Sequence, residues 1–526
     1  MVAEDLAGLQ QEYQRRLQAL LLEATPDTPL HRDRRFSDPA WRRGPYPRML
    51  AIYALHAEFM RRLAAHPAAQ GGDAQRLEFA VEQWIEAASP ANFFATNPQA
   101  QQRAIDSGGE SLRRGIGNLV QDLARGRITQ SDVSAFEIGR DLAQSKGWVV
   151  FRNDLIEVIQ YLPLGARVHR RPLLIVPPCI NKYYILDLQA DNSFVQHALS
   201  AGMQVFMISW RNPDTSMGHL GWDDYLDDGV VAAIRVVQEI ADQDAIQLLG
   251  FCVGGTLATT ALAALAAKRI DPVASLTLLT TLLDFAQPGP LGVFVHQEQV
   301  VLLEERLGKG GLLRGEELAA AFSALRPQDL VWNYVVHNYL LGERPGAFDF
   351  LHWNADVTHL PGPMLVWYLR HMYLANELCQ PGRLRCLGEA VDLRCLRLPT
   401  YAFAARQDHI VPWQSAYRSA LLLGKSVRFV LGASGHVAGT INPARANRRS
   451  FRTTAHAGGT SVLPDDPQAW LAQSGEHPGS WWNDWSQWAR RFAGSLRKAP
   501  AQPGSALHRP LEPAPGRYVR GAASAA

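Results

Sequence analysis

The chain has 526 residues, 47% of them hydrophobic and 19% charged, which is long enough for more than one domain around a large core. Lys+Arg 52 against Asp+Glu 50 leaves a formal charge of +2, so no global field recruits nucleic acid. The five cysteines are an odd number with no C-x-x-C pair, which argues against a disulfide framework or a zinc site and fits a reducing cytoplasm.

The first residues carry early acids and no apolar h-region, so no signal peptide is expected. No run of about twenty apolar residues occurs, and none is expected to span a membrane. Residues 1–35 read as an amphipathic helix followed by a Pro- and Arg-rich linker over 25–35. From 46 to 150 apolar residues recur at helical spacing (Met49, Ile52, Tyr53; Leu77, Val81, Trp84, Ile85), with Ser89-Pro90 and Asn97-Pro98 as breaks. A helical N-terminal domain over 1–146 is expected. Fourteen Trp hint at amphipathic surfaces or an apolar substrate path beside ordinary core packing.

Near 147 the pattern changes. Residues 148–151 and 155–161 read as strands, the second partly alternating. Short apolar runs at 173–176, 205–208, 246–249 and 276–279, separated by helical stretches, read as parallel strands buried on both faces. Strand–helix alternation predicts an α/β sheet with ligands at the carboxyl ends of its strands. The alternation breaks over about 285–395, an aromatic and Pro/Gly-rich insertion that reads as a cap over the active site. It resumes at 400–404 and 427–431. The catalytic domain is expected over 147–526, with a poorly ordered Pro-, Ala- and Gly-rich tail after about 492.

The stretch QLLGFCVGGT (247–256) is a strand running into Gly250-x-Cys252-x-Gly254 and then a small-residue helix. This is the nucleophile-elbow pattern of the α/β-hydrolase fold, with cysteine in place of serine. Elbow enzymes supply nucleophile, acid and histidine in that chain order, each beyond a strand end. Asp408 and His436 meet both conditions; His409, beside Asp408, follows the wrong strand end and ranks second. The oxyanion hole is expected to use the backbone N–H of Val253 and one from the loop after an early strand. In that loop Pro177 and Pro178 have no N–H, so the second donor is Cys179, Ile180 or Asn181, with Ile180 taken as the candidate. A thiol nucleophile exchanges with a thioester nearly in balance and stays reactive as the acyl enzyme. That chemistry favours transfer to another nucleophile over hydrolysis.

At these residues the sequence resembles the class I polyhydroxyalkanoate synthases. The likeness is carried by GFCVGGT (250–256), VPPCINKYYILDL (176–188), SWRNP (209–213), DHIVPW (408–413) and LGASGHVAGTINP (431–443). It extends to SWWNDW (480–485) and EPAPGRY (512–518), and to FSDPAW (36–41) and SPANF (89–93). The chain begins closer to the Phe36 motif than the class leads one to expect.

The resemblance implies polymerisation of short (R)-3-hydroxyacyl-coenzyme A, with coenzyme A released, the acyl chain on Cys252 and His436 as base. Asp408 would orient His436 or help activate the incoming hydroxyl. It implies no metal or other cofactor. The expected partners are the acyl-CoA, the growing polyester, the surface of cytoplasmic storage granules and a second copy in a homodimer. Two other functions compete: a cysteine thioesterase or esterase of the same fold, and a non-catalytic granule-surface binding protein.

Overall fold

The structure, a computed structural model, describes residues 6–22, 33–67, 74–132, 134–424, 426–454 and 463–521. Most of the linker expected over 25–35 lies outside them. The chain divides into two compact units, 1–133 with 320–348, and 134–319 with 349–526.

The first unit is helical: α1 (Leu6–Leu22), α2 (Tyr46–Ala64), α3 (Ala74–Ala87), α4 (Pro98–Asp106) and α5 (Glu110–Arg125). Before α2, the FSDPAW motif tucks Phe36 against Trp41, both fully buried, with ring centroids 5.0 Å apart. Arg35 ties the motif to α3 through Glu86 at 2.7 Å. The stretch 320–348, expected to belong wholly to the cap, packs in this unit. Tyr339 approaches α5 so closely that a Cβ on Gly115 would lie 1.9 Å from its carbonyl oxygen, and its hydroxyl donates to Asp122 at 2.7 Å. Backbone contact of that kind has no signature in hydrophobic spacing.

The second unit holds an eleven-stranded sheet. Its strands are β1 (Gly147–Arg152), β2 (Ile156–Tyr161), β3 (Leu173–Val176), β4 (Val205–Trp210), β5 (Ile246–Phe251), β6 (Val273–Leu279), β7 (Thr400–Ala405), β8 (Val427–Gly432), β9 (Ser450–Thr453), β10 (Gly475–Pro478) and β11 (Glu512–Pro513). The order is β10-β9-β8-β7-β6-β5-β3-β4-β2-β1-β11. Strands β3 to β8 are parallel to one another, and β1, β2, β9, β10 and β11 pair antiparallel. The six parallel strands are buried along nearly their whole length, which is why aliphatic, aromatic and small residues dominate them. Their carboxyl ends therefore share one edge, where the site is built. Among the described residues no helix is long and apolar enough to cross a membrane.

Three expectations change here. Residues 134–146 belong to the sheet unit and not to the helical one, with Ser145 donating its hydroxyl to the buried Asp187. The stretch 493–521 is ordered: Leu496–Lys498 pairs with Arg167–His169, β11 pairs with β1, and Tyr518 donates its hydroxyl to the Asn153 carbonyl at 2.6 Å. Its Pro/Gly composition offers little apolar area, but polar pairing holds it instead. The fully buried Glu157 carboxylate on β2 accepts from Arg152 and from the Tyr518 N–H at 3.1 Å. Most tryptophans turn out to be core, among them Trp41, Trp210, Trp222, Trp470, Trp481 and Trp485.

Candidate active site

Strand β5 is buried throughout and ends at Phe251, and Cys252 follows with φ 53° and ψ −128° before the helix α6 (Val253–Ala267) begins. A non-glycine residue held there stores strain of order 1–3 kcal/mol, which only surrounding structure can maintain. That structure is visible. The Cys252 N–H donates to the Leu279 carbonyl at 2.9 Å, and its own carbonyl accepts the Gly255 N–H at 2.9 Å. The neighbouring glycines leave the room: a Cβ at Gly254 would lie 2.3 Å from the Val176 carbonyl oxygen, and one at Gly255 would lie 2.1 Å from Thr281 Oγ1. The Val253 N–H opens α6, where no intrahelical acceptor exists for it. The half-buried Cys252 sulfur thus lies at a helix N-terminus, which favours negative charge.

The structure brings Asp408 and His436 together. His436 follows β8 and opens the short helix His436–Thr440; Asp408 follows β7. His436 Nδ1 is 2.7 Å from Asp408 Oδ2, and both side chains are buried. The other carboxylate oxygen accepts the Ile410 and Val411 N–H groups, each at 2.8 Å. With the Nδ1–H committed to Asp408, Nε2 is the nitrogen left for the sulfur. Burial alone would lower the imidazole pKa, but the Asp408 carboxylate and the hydrogen-bonded Cys252 sulfur raise it to about 10. Phe251 stacks on the ring at 5.6 Å. Asp408 Oδ2 is thus turned to His436, the histidine that the strand-end argument prefers over His409.

The loop after β3 adjoins the elbow, since Gly254 packs against Val176 and Pro177 of that loop. Cys179 in it is buried, and burial pushes its thiol up to about 12, with Cys252 adding to the effect. Ile180 is half-buried, and Asn181 bridges to Val357.

Two further groups were not assigned to the site from sequence. Tyr368 and Tyr373 are neighbours of Cys252; burial and the sulfur hold both phenols protonated, and Tyr373 adds to the effect at Tyr368. The aromatic run at 367–368 was the available signal. Trp222 stacks on Tyr368 and Trp367, with centroids 5.2 and 5.0 Å apart. The second group lies behind His436, on the helix α7 (Trp481–Arg490). The indole N–H groups of Trp481 and Trp482 donate to the Gly439 and Thr440 carbonyls at 3.0 and 2.9 Å, fixing the helix that begins with the histidine.

Two family models match. Residues 32–198 match the N-terminus of poly-beta-hydroxybutyrate polymerase, and residues 172–443 match the alpha/beta hydrolase fold. A poly(3-hydroxyalkanoate) polymerase subunit of Cupriavidus necator is 53% identical over 98% of this chain and 88% of its own length. A poly(3-hydroxyalkanoate) polymerase of Methylorubrum extorquens is 39% identical over 93% of this chain and 80% of that protein. Polymerase 2 of Ectopseudomonas oleovorans is 40% identical over 95% of this chain and 88% of that protein. With that identity running almost end to end on an α/β-hydrolase sheet, the chain belongs to the poly(3-hydroxyalkanoate) polymerases.

Proposed function

We propose that the protein polymerises short (R)-3-hydroxyacyl-coenzyme A into polyester through an acyl chain held on Cys252. The observation that carries this reading is a cysteine elbow facing a His436–Asp408 pair in a chain of this family. His436 takes the Cys252 proton, and the thiolate attacks the thioester carbonyl. The oxyanion is held by the Val253 N–H and a donor of the 179–181 loop, with Ile180 the candidate. Collapse of the tetrahedral species expels the coenzyme A sulfur, which takes the proton back from His436. The 3-hydroxyl of the next unit then gives its proton to His436 and attacks the acyl enzyme. Each round therefore forms one ester and releases one thiol. Asp408 is the positioning residue that keeps Nε2 turned to the sulfur.

Tyr368, Tyr373 and the stacked Trp222 form an aromatic wall near Cys252, which disfavours water and supports a hydroxyl carried in by substrate as the acceptor. An insoluble polyester product supports a working position at a granule surface, and a pair of copies is the assembly proposed. The test is incubation of purified protein with 3-hydroxybutyryl-coenzyme A, following free thiol and weighing insoluble product. Stoichiometric thiol with polymer is the expected result. Thiol with free 3-hydroxy acid would make the protein a thioesterase, and no thiol would make it a binding protein.

A further inference from the structure

A pocket of about 440 Å³ opens beyond the carboxyl end of β4, lined by Arg211, Asn212, His359, Arg517, Tyr518 and Gly521 among others. The pocket adjoins the 176–182 loop. Trp210, which precedes Arg211, donates its indole N–H to the Pro177 carbonyl at 2.9 Å. Val357, two residues before His359, bridges to Asn181, and Lys182 Nζ donates to the Gly521 carbonyl at 2.7 Å. In the sheet, β4 lies two strands from β5 and parallel to it, so the pocket mouth is displaced from the nucleophile by roughly 10 Å across the strands, on the same edge.

The lining carries several donors beside one carboxylate, Asp214. Asn212 Oδ1 accepts the His359 N–H at 2.9 Å, which leaves its amide NH₂ to donate. His359 Nδ1 accepts the Gly315 N–H at 2.9 Å, so this nearly buried imidazole carries its proton on Nε2. Arg211 is shared between Asp214, at 2.5 Å, and the face of Tyr518, at 6.0 Å. The nearby Glu157 and Glu512 carboxylates are taken by Arg152. Arg517 is exposed, and among the described residues no carboxylate pairs with it. A guanidinium in reach of neutral donors, with the local acids already engaged, suits a phosphate.

We propose that this pocket binds the phosphate-bearing nucleotide end of the coenzyme A moiety, with Arg517 as its principal cation. The long pantetheine arm then runs along the 177–182 loop and delivers the thioester to Cys252. This rests on the acyl-CoA reading above and adds the place where the coenzyme is gripped.

The experiment compares two substrates, 3-hydroxybutyryl-coenzyme A and the matching N-acetylcysteamine thioester, which lacks every phosphate. The Arg517→Ala and Arg517→Glu variants should raise KM for the coenzyme A substrate about tenfold or more, as loss of a charge-assisted contact does, with little change in kcat. The advantage of the coenzyme A thioester over the truncated one should shrink by the same factor, and Arg517→Lys should restore part of it. Calorimetric titration of coenzyme A itself needs no turnover, and Arg517→Glu should weaken its binding by a similar factor. An unchanged substrate ratio, or equal coenzyme A affinity in wild type and Arg517→Glu, overturns the pocket. Failure of the polymerase reading would show separately, as wild-type protein that binds coenzyme A and makes no polymer.

Discussion

Asp484 on α7 accepts two hydrogen bonds from the buried Arg428 guanidinium on β8, 2.9 Å from Nε and 2.5 Å from Nη2. The pair ties the SWWNDW motif to the strand that leads into His436, and Tyr401 on β7 adds its hydroxyl to the same carboxylate at 3.0 Å. Truncating Asp484 removes a carboxylate that balances a buried guanidinium. Asp484→Ala should therefore cost about 3–5 kcal/mol of stability, read as a lower urea midpoint, and should reduce activity through His436. A loss below about 1 kcal/mol would remove the motif from this supporting role.

Cys252→Ala should abolish thiol release while the fold persists, since a small-for-small change at a half-buried position leaves little cavity. Cys179→Ala should retain most activity, because burial keeps that thiol protonated near neutral pH. Acyl labelling with a radioactive substrate, followed by peptide mapping, separates the two cysteines. Label on Cys179 would overturn the assignment.

His436→Ala should lose several orders of magnitude in kcat and His409→Ala far less, because the Asp408 carboxylate is turned to His436. Equal losses would leave the base unassigned. The pair also predicts a pH dependence. The folded-state value of about 10 stands above the value near 6.5 of a free imidazole, so the imidazolium's contribution is fully present below about pH 6.5. It declines as pH rises and is lost through about pH 10. The destabilisation caused by Asp408→Asn should accordingly be largest near pH 6 and shrink toward pH 10. Denaturant midpoints of both proteins measured across that range check the sign, and a pH-independent difference would refute it.

Gly254→Ala tests the elbow without touching a side chain that reacts. The new methyl would meet the Val176 and Pro177 carbonyl oxygens at 2.3 and 2.6 Å, and backbone atoms cannot swing aside. The cost should be about 1–3 kcal/mol of overpacking. A larger effect on turnover is expected, because α6 and the oxyanion loop are forced apart. Near-normal kcat in a folded Gly254→Ala protein would show that their close approach is dispensable.

The parallel half of the sheet was legible because strands buried on both faces carry short apolar runs, such as Leu173–Val176 of β3 and Val205–Ile208 of β4. The Cys252, Asp408 and His436 positions were legible for the same reason, since strand ends locate them. The outermost strands β9, β10 and β11 were not. Strand β10 is Gly475-Glu476-His477-Pro478, exposed along its length, and carries no apolar signal. In β2 the partial alternation suggests a solvent-facing Glu157, yet Glu157 and Gln160 are buried. What covers them arrives more than 300 residues later, from the stretch around 504–518. Burial of a polar residue by a distant polar segment leaves no periodic trace.

That late arrival sets an order of events during synthesis. When the ribosome has made residues up to 500, every group proposed for chemistry at Cys252 has been translated, but β1 still presents an unpaired edge and Glu157 still lacks the Tyr518 N–H. Such an edge is a template for pairing with another chain until β11 occupies it. Chains stalled or clipped before Glu512 should therefore self-associate into inactive material, so the residues around 512–518 decide when the sheet edge closes.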